Sequence, residues 1–209
     1  VIVGYCREDG WPTNELAFRW TAADGMRSLG TLPGGRQSRA NAVSGDGQIV
    51  VGYAEDASGA PRAFIWTETE GMVSLGTIAG GVYSAANGIS LDGTVVVGHG
   101  SGSNGSGNYA LRWTPAEGMV SLGALPGDVG NAALDASDDG SVVVGYGDKD
   151  DFTNEAFIWT AAEGMAGLGT IPGGVDSAAY AVSADGSVVV GNALGNDGNF
   201  YAFRWTRDP

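Results

Sequence analysis

Five copies of an aromatic motif recur at a nearly constant interval: LAFRWT at 16–21, RAFIWT at 62–67, YALRWT at 109–114, EAFIWT at 155–160 and YAFRWT at 201–206. Their tryptophans, Trp20, Trp66, Trp113, Trp159 and Trp205, lie 46, 47, 46 and 46 residues apart. So regular a period means an array of one structural unit. Other landmarks keep step. The VVG-type run ends at Gly4, Gly52, Gly98, Gly145 and Gly191, and an LG pair recurs at Leu29, Leu75, Leu122 and Leu168.

Each unit reads as four short strands. A small, polar first strand such as SAAYAVS at 177–183 leads through Asp185-Gly186 into SVVVG at 187–191. Asp-Gly between two β-rich runs predicts a tight two-residue hairpin with both central residues at positive φ. The AFxWT strand follows a variable loop, GMxxLG makes the fourth strand, and a Pro/Gly-rich connector such as TLPGGRQ at 31–37 ends the unit. Val142 to Val144 and Val188 to Val190 are consecutively apolar, which predicts cover on both faces of the sheet. No amphipathic helix is present in the pattern to supply that cover, so other sheets must.

Four antiparallel strands per unit, stacked sheet on sheet, describe an all-β five-bladed β-propeller of roughly 46-residue repeats. The chain reads as a single repeat domain over 1–209, with units 1–37, 38–83, 84–130, 131–176 and 177–209. The first unit lacks its first strand and the last its fourth, so both end blades are incomplete. An open β-solenoid or filament is the alternative, because exposed edges template strand addition; the same edges offer a route to self-association. Opening on VIVGY, inside a repeat, the chain reads as a mature product, an excised fragment or the ordered part of something longer.

Composition narrows the partners. Ten Lys and Arg stand against 24 Asp and Glu, a formal charge of -14, which argues against nucleic acid, where affinity comes from cations neutralising phosphates. No apolar run approaches the roughly 18 residues of a membrane helix, so this segment is not expected to insert. Cys6 is the only cysteine and His99 the only histidine, too few for a zinc site of such ligands. His99 holds the slot occupied elsewhere by Tyr5, Tyr53, Tyr146 and Asn192, and no nucleophile-elbow pattern accompanies it.

The five motif tryptophans are expected as inter-blade core, since Trp and Phe two residues apart share one face of a strand. Trp11, in the variable loop REDGWPTNE, and Tyr201 are the candidate ligand contacts. Asp148, Asp150 and Asp151 in GDKDDFTNE could offer oxygen ligands to Ca²⁺. Their spacing does not fit an EF-hand, and a solvated acidic loop is the better reading; no other cofactor is expected.

The motifs AFRWT, GMxSLGTLPGG and SxAxAVSxDGxxVVG, in that order, resemble the HAF family of extracellular repeats of bacterial secreted and surface proteins, over Val1 to Thr206. The resemblance implies an extracellular or cell-surface location. The family's His is replaced in all five copies, by Leu16, Arg62, Tyr109, Glu155 and Tyr201, so no role of that His carries over. The function expected from this reading is a non-enzymatic adhesive or scaffold module that meets a protein or surface glycan through its loops. A lectin-like binder with several sites is the second reading and a glycoside hydrolase the third.

Overall fold

The computed structural model describes residues 1–7, 15–102 and 107–207, and these described residues form 18 strands in five antiparallel sheets, with no helix among them. Blade 1 holds β1 (Ile2–Arg7), β2 (Glu15–Thr21) and β3 (Gly25–Gly30). Blade 2 holds β4 (Ser38–Val43), β5 (Val50–Glu55), β6 (Pro61–Thr67) and β7 (Gly71–Ser74); blade 3 holds β8 (Ser84–Ile89), β9 (Val96–Ser101), β10 (Asn108–Thr114) and β11 (Gly118–Ser121). Blade 4 holds β12 (Asp128–Ala136), β13 (Val142–Lys149), β14 (Asn154–Thr160) and β15 (Gly164–Gly169), and blade 5 holds β16 (Asp176–Val182), β17 (Val188–Leu194) and β18 (Phe200–Thr206). Every sheet is a simple meander, and the blades pack in chain order as a β-propeller.

The valine runs explain the packing. Val143 faces blade 3, in a cluster with Val97, Ala110 and Leu122, while Val142 and Val144 face blade 5, in a cluster with Ala179 and Val189. Alternation therefore survives, with apolar residues on both faces because each face meets a sheet. Phe and Trp of one blade always point at the preceding blade: Phe64 and Trp66 join Ala17 and Leu29 of blade 1, and Phe203 and Trp205 join Ala156 and Ile158 of blade 4. Blade 1 has no predecessor in the structure, so Trp20 is 37% exposed. At the other end Val189 is buried against blade 4, while Val190, on the uncovered face, is 43% exposed.

First strands lie innermost. They touch from blade to blade, and the Asn41 amide donates to Ala86 O at 2.7 Å and that of Asn87 to Ala133 O at 2.8 Å. Crowding there selects small residues on both members of the inner pair. A Cβ on Gly52, Gly98, Gly145 or Gly191 of the second strand would lie 1.9–2.0 Å from a first-strand carbonyl oxygen, that of Arg39, Ala85, Ala132 or Ala178.

The Asp-Gly turns differ from expectation. Only the glycine has positive φ, at Gly47, Gly93, Gly140 and Gly186; no Asp does. The loop is longer than a two-residue hairpin, because a serine two residues before the Asp organises it. Gly47 N donates to Ser44 O at 2.9 Å, and Ser44 N to Ile49 O at 2.9 Å. Ser44 Oγ accepts from Ile49 N at 3.0 Å and donates to Asp46 Oδ1 at 2.6 Å. Asp46 Oδ1 also accepts from Gln48 N, so a side-chain network takes the place of mirror-image turn geometry.

Candidate functional site

The two ends of the axis are chemically unlike. At the Asp-Gly end, neighbouring turns are tied by Gly45 N to Leu91 O at 2.9 Å and Asp138 N to Ala184 O at 3.1 Å. A hollow of about 580 Å³ there is lined by Asp46, Asp92, Asp138 and Asp139. The carboxylates of Asp46, Asp92 and Asp139 serve their own turns. Hydrogen bonds from Ser141 and Ser137 hold Asp139 at about 2, and those from Ser183 and Ser187 do the same for Asp185.

The opposite end carries the variable loops and a set of aromatic and charged side chains. Arg39 enters near the start of β4, opposite Tyr53 near the end of β5. Its guanidinium lies 4.4 Å from the centre of the Tyr5 ring and 5.9 Å from that of Tyr53, within reach of cation–π attraction. Arg39 Nε donates to Glu15 Oε2 at 2.5 Å, and Arg7 Nε to Glu15 Oε1 at 3.4 Å. Glu15 is almost fully buried, so two cations hold one sequestered carboxylate.

Blade 3 contributes His99. Its ring packs edge-on to Tyr83 with centroids 6.4 Å apart. The Asn87 amide that bonds Ala133 O also lies 3.2 Å from His99 Nδ1. As donor to Nδ1 it leaves the imidazole proton on Nε2. Burial pushes the imidazole below its ordinary value, so the ring is neutral at pH 7. Among the described residues, Asn87 is its only side-chain hydrogen-bond partner. No nucleophile is paired with this base there.

Blade 4 adds carboxylates. Burial raises Asp148, with help from the charge of Asp176, and burial also raises Asp128. Asp151 instead bonds Thr153 within its own turn, and Lys149 Nζ donates to Glu155 Oε2 at 2.7 Å. Asp148, Asp150 and Asp151 therefore do not converge, and the described residues contain no group of acids, His and Cys arranged to hold a metal. Tyr201 lies on β18 of the last blade with its hydroxyl donating to Asp197 Oδ2 at 2.6 Å. Trp11 lies outside the described residues.

A further hollow, about 930 Å³, opens between blades 3 and 4 beside Trp159. Where Ile65 and Ile158 plug the equivalent inter-blade space, this position is Arg112, turned toward Glu117 at 2.8 Å. Charge replaces the aliphatic plug, and the groove stays open.

The sequence pattern did not reveal one device that recurs at every junction. Ser38 Oγ accepts from Ala17 N at 2.9 Å and donates to Gly30 O at 2.6 Å, both in the preceding blade. Ser84 repeats this on Ala63 and Gly76, Asn131 on Ala110 and Gly123, and Ser177 on Ala156 and Gly169. All four side chains are fully buried or nearly so. The signal was a small polar residue near the start of each first strand, serine at 38, 84 and 177 and asparagine at 131, spaced with the tryptophans but less conspicuous.

No family model matches the chain, and no curated protein matches its sequence. Solved structures do share its fold. TolB from Acinetobacter baumannii superposes with a TM-score of 0.65 at 14% identity, over 98% of this chain and 50% of that one, so this chain spans about half its length. Puromycin hydrolase superposes with a TM-score of 0.57 at 15% identity, over 89% of this chain and 29% of the hydrolase. These likenesses establish the β-propeller. They also correct the functional expectation: the same fold occurs inside puromycin hydrolase, so the non-enzymatic adhesive or scaffold reading does not stand.

Proposed function

We propose that this chain is the substrate-admitting propeller portion of a bacterial envelope hydrolase whose chemistry is carried elsewhere. The observation that supports this reading most directly is the asymmetry of the axis. Cross-bonded turns tie one end together. The other presents Arg39 against Tyr5 and Tyr53 beside Glu15, with Tyr83 and His99 on the next blade but one from blade 1. Phenol rings stack on planar amide groups, and a guanidinium pairs with a carboxylate or carbonyl. The mouth therefore suits a peptide or another small amide-bearing molecule. This chain superposes on 29% of puromycin hydrolase, which leaves most of that protein outside the shared propeller.

The test is titration of the 209-residue chain with di- and tripeptides, followed by backbone amide NMR. Shifts are expected at Tyr5, Arg39, Tyr53 and His99, with Arg39→Ala weakening binding about tenfold, the size of one charge-assisted hydrogen bond. Binding that maps to the Asp-Gly end, or that ignores Arg39→Ala and Tyr53→Ala together, would refute the assignment.

A further inference from the structure

One side chain sets the groove between blades 3 and 4 apart from the other junctions. Arg112 stands opposite Val97, the place that Arg19, Ile65 and Ile158 take opposite Val3, Val51 and Val144. Ile65 and Ile158 fill their gaps with hydrocarbon. Arg19 closes its own by reaching into the next blade, where its Nε donates to Gly47 O at 3.0 Å. The counterpart of Gly47 is Gly140, in the wall of the groove, and Arg112 does not bond it. Its Nη1 donates instead to Glu117 Oε2 at 2.8 Å, within its own blade. Its Nε is left enclosed and, among the described residues, without an acceptor. A buried donor without a partner carries a desolvation cost, and this one borders about 930 Å³ of open volume. Both flanking blades have all four strands, so the opening belongs to the junction itself.

We propose that this groove is a binding site for an uncharged aromatic carbonyl compound, an aryl amide or aryl ketone. The carbonyl oxygen is the group that Arg112 lacks. In a guanidinium, Nε–H and one Nη2–H point along a shared edge; Glu117 holds Nη1, so that edge is left for a ligand. The Arg112 side chain is 20% exposed to the opening, and a small rotation sets Nε on the ligand oxygen, in the bond that Arg19 makes to Gly47 O. Neutrality follows from the rim. Glu117 already balances Arg112, and Glu163 pairs with Arg207. Asp139, kept ionised by its turn, leaves three carboxylates against two guanidiniums, so an added anion is repelled. Aromatic character follows from the walls, where Trp159 supplies a ring and Val120, Leu122 and Val142 supply hydrocarbon. The groove lies at the Asp-Gly end, and its role is independent of what the mouth admits.

The experiment titrates the intact chain, carrying nitrogen-15 arginine, with acetanilide and follows the Nε–Hε NMR signals, assigned with Arg112→Lys and Arg19→Lys. A saturable shift is expected at Arg112 and none at Arg19, whose Nε is already bonded. N-ethylaniline, the same ring without a carbonyl, and 4-acetamidobenzoate, with an added carboxylate, should each bind at least about tenfold more weakly. Arg112→Ile copies the plug of two other junctions; it should melt no lower than the parent and bind acetanilide at least about tenfold more weakly. Arg112→Lys keeps a charge for Glu117 but has no Nε–H edge, and should show the same loss. Glycylphenylalanine separates this site from the mouth: its carboxylate excludes it from the groove, so it should leave Arg112 Nε–Hε unmoved whether or not Arg39 responds. The inference is overturned if acetanilide does not move the Arg112 signal, if any of the three comparison compounds moves it at equal concentration, or if either variant binds like the parent. It is also overturned if the free Arg112 signal matches that of Arg19 in shift and exchange protection, for then Arg112 bonds Gly140 O and the groove is closed.

Discussion

Replacing Ser84 by alanine removes a side chain with no exposed surface and strands two backbone groups of another blade. Ala63 N loses its acceptor at 2.9 Å and Gly76 O its donor at 2.5 Å. A buried polar group left unpaired costs about 1–3 kcal/mol. Two such groups, relieved in part by local adjustment, put the substitution at about 3 kcal/mol. For a domain of this length that lowers the melting temperature by roughly 6–12 °C. The comparison is Ser121→Ala, where an exposed hydroxyl accepts from Gly123 N at 3.3 Å; its cost should stay within about 0.5 kcal/mol. Urea unfolding of the three proteins measures the difference, and hydrogen exchange locates it: the Ala63 amide should exchange faster in Ser84→Ala, while Ala156, clamped by Ser177, should not. If Ser84→Ala unfolds within about 0.5 kcal/mol of the parent, or if Ala63 keeps its protection, the junction serine is not what satisfies the preceding blade.

Other outcomes follow from the same geometry. Trp113→Ala, which strips an aromatic packed between blades 2 and 3, should cost about 3 kcal/mol in urea unfolding, whereas Trp20→Ala, on the uncovered face, should cost about 1 kcal/mol or less. Gly98→Ala places a methyl 2.0 Å from Ala85 O and should destabilise by about 3 kcal/mol or more, seen as loss of the cooperative thermal transition. Asp139 and Asp185 lie at about 2 in the folded chain against an ordinary 3.8, so their contribution is complete above about pH 4 and lost as pH falls toward 2. The melting temperature of the parent should decline through that window, and less steeply in the Asp139→Asn, Asp185→Asn double variant.

The period of the tryptophans made the blades legible, and the uninterrupted valines made the stacking legible, because both reflect burial that repeats. Val142 to Val144 divide between two neighbouring sheets in the way a doubly covered strand requires. The polar devices were harder to read. Asp-Gly suggests a two-residue turn, yet the controlling atom is Ser44 Oγ, whose reach to Ile49 N depends on loop geometry rather than residue propensity. The axial mouth was less visible still. Arg7 and Glu15 meet as cross-strand partners on β1 and β2, and Arg39 joins them only because blade 2 packs beside blade 1. The acids of GDKDDFTNE, adjacent in sequence, are instead divided between a half-buried strand end and an exposed turn. Sequence proximity misleads in both directions where function is assembled between repeats.

The junction serines give the array a direction. At each of the four junctions, two backbone groups of a blade's third and fourth strands are closed by a hydroxyl or amide that belongs to the blade after it. A chain emerging amino-terminus first therefore leaves its newest blade open until the next first strand arrives. Stability is conferred backwards along the polypeptide, one unit late, and an interruption between repeats exposes the last blade made while sparing those already sealed.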